Sequence, residues 1–167
     1  MTAIAAVADN DVIGDGDGLP WDIPEDVRRF QRVTMGGVLI VGRRTYETFG
    51  PAGLPGRHCV VVSRRVMGPD TADVTWADSP DAALAALVGF PNRRHWVAGG
   101  GTIYRALWDA TTDLDITAVH QTPAGSVTFP RIDPALWRRI SYDPHGGYDF
   151  VAYVRTAGPV PTGVPPG

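Results

Sequence analysis

Apolar runs alternate with polar joints along this chain, and the runs are of two kinds. Short runs rich in β-branched residues or alanine read as buried strands: TAIAAVA (2–8), VLIVG (38–42), HCVVVS (58–63), HWVAGGG (95–101), LDITAVH (114–120) and DFVAYVR (149–155). DVTWA (73–77) is weaker and reads as an edge strand. Between these runs lie helical segments. One follows GLPWD and ends near Thr34, RRTYETF (43–49) is short, and TIYRALWD (102–109) closes a glycine run. SPDAALAALV (79–88) has Ser79 at the cap, Pro80 at the first position and an alanine/leucine face behind. Strands and helices alternate early and strands close the chain. That order implies an α/β three-layer fold, with a mostly parallel central sheet, an antiparallel strand at the C-terminal end and about four flanking helices. TAGPVPTGVPPG (156–167) reads as a disordered tail, leaving residues 1–155 as one domain.

The first helix carries an anomaly. Asp22 is placed to cap it, Glu25 follows three residues later as in a capping box, and Pro24 suits the first turn. At about 100° per residue, Ile23, Val27, Phe30, Val33 and Thr34 fall within an arc of roughly 120°. Glu25, Arg28, Arg29, Gln31 and Arg32 fall outside it, but Asp26 falls inside, between Phe30 and Val33. An inward carboxylate is costly unless something bound there supplies its partners. The plainer reading is a rim position that favours the helix dipole. Asp22 and Glu25 already serve the helix start, so Asp26 is not needed for it.

Composition narrows the classes. The chain has 167 residues, 44% apolar and 20% charged, with a net charge of −3, so bulk attraction to nucleic acid or to an anionic membrane is not indicated. All 15 basic residues are arginine, which excludes a Schiff-base lysine and the lysine of a P-loop. The single cysteine, Cys59, lies in a β-branched run and reads as a buried structural thiol. MTAIAAVADND has no basic segment before its apolar run and reads as a first strand, so a cytoplasmic enzyme is expected.

Two strand–glycine–helix joints, VLIVGRRTYE and HWVAGGGTIY, are places where an α/β sheet can receive phosphate, although neither is the G-x-G-x-x-G fingerprint. Each could equally serve packing. Between Gly42 and Arg65 stand five arginines (Arg43, Arg44, Arg57, Arg64 and Arg65) against one acid, Glu47. Clustered charge is usually a solvated face, but placement at strand ends favours an anionic ligand. DGDG does not continue as a calcium loop, the histidines at 58, 95, 120 and 145 lack metal-ligand spacing, and no G-x-S-x-G occurs.

VIG (12–14), GLPWDIPEDVRRF (18–30), VGRRTYE (41–47), LPGR (54–57), WVAGGGTIY (96–104), DITAVH (115–120) and TFP (128–130) together resemble dihydrofolate reductase of the bacterial type, in order and spacing, from about residue 2 to 155. The resemblance implies reduction of 7,8-dihydrofolate to tetrahydrofolate by hydride transfer from NADPH to C6, with protonation of N5. It makes Asp26 the active-site carboxylate that holds the pterin, with Thr117 behind it and water supplying the proton. Phe30 and Phe49 would flank the pterin and benzoyl rings, and Ile4, Ala5, Val27, Leu54 and Ala98 would line the pocket. Arg57 would bind the substrate's glutamate carboxylate. Leu19 and Trp21 would sit on the mobile loop over the nicotinamide. For NADPH the resemblance assigns Arg43, Ser63, Arg64 and Arg65 to the 2′-phosphate side. Arg44, Thr45, Gly100, Gly101 and Thr102 would hold the pyrophosphate, and Ala6, Ile13, Gly14, Gly42, Gly99 and Tyr104 would border the cofactor. In the family the glycines matching Gly99 and Gly100 are joined by a cis peptide. Partners would be dihydrofolate and antifolate inhibitors, with no nucleic acid or membrane, for a monomer.

Two positions depart from the pattern. Ser126 stands where bacterial members have an acidic residue contacting the active-site loop, and Ala98 where a larger aliphatic is common. Two other functions stay open: a riboflavin-pathway pyrimidine reductase of the same fold, and a non-catalytic folate or nucleotide binder. The inward Asp26 opposes the first, and the joint presence of Asp26, Trp21 and Arg57 opposes the second.

Overall fold

The computed structural model describes residues 1–16, 18–65 and 67–156. Its centre is an eight-stranded sheet. In chain order the strands are β1 (Thr2–Ala8), β2 (Val12–Gly14), β3 (Val38–Gly42), β4 (His58–Val62), β5 (Val74–Ala77), β6 (His95–Val97), β7 (Asp113–Val119), β8 (Val127–Thr128), β9 (Trp137–Pro144) and β10 (Tyr148–Arg155). The helices are α1 (Pro24–Thr34), α2 (Arg43–Glu47), α3 (Pro80–Ala86) and α4 (Gly101–Ala106), with a 3-10 turn at Leu87–Gly89. The sheet order is β5-β4-β3-β6-β1-β7-β10-β9, and β2 pairs β8 in a separate ribbon.

The six strands from β5 to β7 run parallel, and β10 and β9 add antiparallel. This is the expected three-layer architecture with a two-stranded antiparallel addition. The central strands β3 and β4 are buried almost throughout, as their continuous β-branched runs require when both faces are covered. Ser79 caps α3 by accepting from the Ala82 amide. Cys59 is free and buried, and burial pushes its thiol up to about 11, so it stays an unreactive apolar side chain.

Several sequence expectations are corrected. Asp22 does not cap α1: Pro24 opens the helix, so the cap position falls on Ile23, which makes no side-chain cap bond. Asp22 therefore sits one residue too early, and Glu25 pairs with Arg28 at 2.9 Å instead. Val27, placed on the inward arc, is 51% exposed. The strand drawn to Gly101 ends at Val97, and the glycines form the joint. Strand β9 had no pattern to betray it, because Trp137 is its only buried residue. Its ladder with β10 creates it. The ribbon strands β2 and β8 are too short to show a period. Thr156, assigned to the tail, bonds to Leu136 and Ala135 at 2.9 and 3.2 Å. The rest of that segment, 157–167, lies outside the described residues. Among the described residues no helix is long and apolar enough to cross a membrane.

Candidate active site

The site follows from an unequal pair of strands. β6 pairs with β1 only through Trp96 and Val97, whereas β1 runs on to Ala8 beside β7. Beyond Val97 the Ala98–Gly101 joint stays bonded to β3, through Ala98 to Ile40 and Gly42 to Gly99, but its ladder with β1 has ended, so a gap opens between β1 and the joint at the carboxyl ends of the strands, where ligands bind in open α/β sheets. Tyr104 on α4 donates to the Ile4 carbonyl at 2.5 Å across this gap. Its hydroxyl is buried and committed to bracing, and burial raises its pKa.

Asp26 faces the crevice from α1. Thr117 on β7 donates to Asp26 Oδ1 at 2.5 Å. Desolvation raises the Asp26 pKa against the lowering effects of Thr117 and Arg29, and Asp115 adds to the rise. The apolar cluster of Ile4, Leu39, Val41, Leu54, Cys59, Val61 and Trp96 gathers Phe30, one helical turn after Asp26, together with Phe49 and Ala98 at its edge. The rings of Phe30 and Phe49 lie 6.3 Å apart and 28° from parallel. Five of the residues expected to line a substrate pocket are thus in one cluster. Ala5 packs against the other cluster, on the opposite face of β1, as the two-residue period demands. Val27 is exposed beside the crevice, and Leu19 is 54% exposed on the loop before α1. Trp21 Nε1 is buried and lacks a hydrogen-bond partner among the described residues.

Arg57 is 2% exposed, and its guanidinium donates to the Pro55 carbonyl at 3.0 and 3.2 Å and to Thr34 Oγ1 at 3.3 Å. All three contacts are to neutral oxygens, and among the described residues it has no ion pair. Burial lowers its pKa. A cation held this way is equipped for an incoming carboxylate.

The two glycine joints touch. The Gly42 amide donates to the Gly99 carbonyl at 2.7 Å, and a Cβ on Gly100 would lie 3.3 Å from Thr45 Oγ1. Gly99–Gly100 is a cis peptide and Gly99 has φ +101°. Packing accounts for Gly101, whose added Cβ would lie 2.9 Å from the Thr128 carbonyl. The starts of α2 and α4 therefore meet, bringing Arg44, Thr45, Gly101 and Thr102 to one rim. Ser63, Arg64 and Arg65 follow β4 next to β3. Arg44, Arg64 and Arg65 are exposed and have no ion pair among the described residues. Arg43, which the resemblance assigns to the 2′-phosphate side, is paired here with Glu47 at 2.6 Å. Amides, hydroxyls and guanidinium groups form a donor set suited to a phosphorylated cofactor. Ala6 lies on β1, and Ile13 and Gly14 lie on the ribbon, whose strand β8 packs through Val127 and Thr128 against Gly101 of the second joint.

Sequence reasoning missed Arg29 and Asp115, whose ion pair at 2.6 Å lies behind Asp26. Helical periodicity had put Arg29 outside the apolar arc. Asp115 occupies an apparently ordinary strand position, and only the packing of α1 on β7 joins them.

The dihydrofolate reductase family model matches residues 1–155. A dihydrofolate reductase from Neisseria meningitidis serogroup A is 38% identical over 162 residues, covering 93% of this chain and 98% of the relative. One from Haloferax volcanii is 34% identical, covering 91% and 81%. Among solved structures, the Enterococcus faecalis dihydrofolate reductase complexed with NADP(H) superposes with a TM-score of 0.78 at 26% identity, covering 93% of this chain and 96% of that one. The inward carboxylate, the paired glycine joints and the matched length converge on one conclusion: the chain belongs to the dihydrofolate reductase family.

Proposed function

We propose that residues 1–155 act as a single unit that reduces 7,8-dihydrofolate to 5,6,7,8-tetrahydrofolate with NADPH, and that Asp26 holds the pterin. The observation that carries the assignment of the site is the Asp26 carboxylate, bonded on one oxygen to Thr117 and set in an apolar crevice. A ring with adjacent N–H donors satisfies it there. NADPH bound at the glycine joints would supply the hydride for C6 of the substrate.

The protein's work is orientation and electrostatics. Phe30, Phe49, Leu54 and Val27 grip the flat rings of the substrate. Arg57 takes the carboxylate at its far end, which fixes the long axis of the molecule. Asp26 polarises the pterin so that N5 accepts a proton from water. Leu19 and Trp21 close over the reacting atoms and exclude bulk solvent. Arg44, Thr45 and the amides of Gly100, Gly101 and Thr102 would hold the pyrophosphate, and Ser63, Arg64 and Arg65 would hold the 2′-phosphate. Arg43 contributes by leaving Glu47. A cytoplasmic monomer is the state in which this reading places the chain, and dihydrofolate and antifolates are its ligands.

The direct test follows NADPH absorbance on adding dihydrofolate. Oxidation that depends on dihydrofolate and is lost in Asp26→Asn supports the reading. Cofactor and folate binding without turnover would instead make the chain a binder.

A further inference from the structure

We propose that the Arg29–Asp115 ion pair is a positioning device for Asp26: it keeps a cation beside the carboxylate while preventing that cation from binding it. The inference rests on the assignment of Asp26 as the pterin carboxylate. Helix α1 presents Asp26 and Arg29 three residues apart on one side, and β7 presents Asp115 and Thr117 two residues apart on one face. The two elements meet in register. Thr117 donates to Asp26 at 2.5 Å, and Arg29 Nη1 lies 2.6 Å from Asp115 Oδ1 as an ion pair that lacks hydrogen-bond alignment. Phe150, paired with Thr117 across β7 and β10, lies under the Arg29 guanidinium at 4.7 Å. Arg29 is therefore held from two sides, and both side chains of the pair are largely buried, at 18% and 15% exposed.

An arginine three residues after an aspartate on a helix is its natural partner. Here Asp115 captures it instead, and one oxygen of Asp26 bonds Thr117 while the carboxylate stays open for the substrate. The groups that act on Asp26 are Thr117 and Asp115 from β7 and Arg29 from α1, while the Asp26 charge in turn raises the pKa of the buried, neutral Tyr104 hydroxyl on α4. Removing Arg29 leaves Asp115 as a second anion beside Asp26. Removing Asp115 leaves Arg29 able to turn onto Asp26. The two changes push the carboxylate in opposite directions, and a cation held back by Asp115 will in addition compete with substrate for Asp26 once Asp115 is gone, which a pair serving only packing would not do.

The test titrates the Asp26 carboxyl by carbon NMR in the ligand-free protein, where no reaction is needed. Arg29→Gln should raise its proton affinity about tenfold and Asp115→Asn should lower it by a similar factor, as for a unit charge nearby in a partly buried site. The double variant should return close to the wild type. In turnover, Asp115→Asn should raise KM for dihydrofolate more than it lowers kcat, because Arg29 then competes for the carboxylate. Shifts of the same sign, or none, would overturn the proposal. If Arg29→Gln does not fold, Asp115→Asn alone decides: a lowered affinity supports the device, and an unchanged or raised one overturns it. Opposite shifts in a protein that does not reduce dihydrofolate would overturn the reductase reading and leave the ion-pair coupling standing. A working reductase without opposite shifts would overturn the coupling alone.

Discussion

Asp26 costs the folded chain stability at neutral pH. Its folded pKa is raised, chiefly by desolvation, so the folded state holds this proton more tightly than the unfolded state does. Stability from this group is complete below the unfolded value near 3.9 and falls as pH rises through the folded value. Asp26→Asn should therefore match or exceed the wild type in melting temperature at pH 7, with the gain vanishing in acid. The same variant should lose at least about a hundredfold in turnover while keeping its NADPH affinity, the usual scale for losing a polarising group. A second pH effect belongs to the reaction. N5 must gain a proton, so single-turnover hydride transfer should be fastest at low pH and fall about tenfold per unit above the apparent pKa of the complex. Rates flat from about pH 5 to 9 would rule out that coupling. Arg57 makes the other residue-scale prediction. Among the described residues its buried guanidinium has only neutral partners, so Arg57→Gln should raise KM for dihydrofolate by roughly ten- to a hundredfold, the worth of a charge-assisted bond. KM for NADPH should barely move, and steady-state kinetics with each substrate varied would show it.

At the scale of elements, the β2–β8 ribbon is the part most sensitive to crowding. Gly125 approaches it so closely that an added Cβ would lie 2.5 Å from Val12 Cγ1 and 2.6 Å from the Gly14 carbonyl. Gly125→Ala must push the loop off the ribbon, with a stability loss of about 1–3 kcal/mol on the scale of overpacking. A rise in KM for NADPH should accompany it, because Gly14 moves. Gly146→Ala is the control: open space surrounds that position, and its midpoint in denaturant should hold. Ser79 tests an element away from the site. Its hydroxyl accepts from the Ala82 amide, so Ser79→Ala should cost about 1 kcal/mol in denaturant unfolding and leave kcat unchanged.

Across the whole molecule, a chain of net charge −3 gathers Arg44, Arg64 and Arg65 at the carboxyl ends of two neighbouring strands. On the proposed assignment, it is placement and not total charge that attracts the cofactor. Arg64→Ala with Arg65→Ala should raise KM for NADPH at least tenfold and leave that for NADH nearly unchanged, since charge-assisted bonds to the extra phosphate are lost. Equal wild-type efficiency with both cofactors would assign these arginines another role. Arg43→Ala should do less, because Glu47 already occupies that guanidinium.

The sequence by itself determined the elements whose burial leaves a period: the β-branched central strands, the Ser79-capped helix and the alternating order of the layers. It also marked the inward Asp26, because a helix period exposes a carboxylate on the wrong face, and its motifs carried the family. Only the tertiary structure decided the rest. β9 has a single buried residue and exists through its ladder with β10, so no local pattern could disclose it. The start of α1 moved off Asp22 because the proline ring at position 24 set the first turn. Val27 lies on the apolar arc and is still exposed, because an arc records direction and not whether a neighbour arrives to cover it. Arg43 and Glu47 stand four apart on α2, a pairing that helical spacing permits, whereas Arg29 found Asp115 across 86 residues of chain, and that pairing depends on distances in space that sequence spacing does not encode.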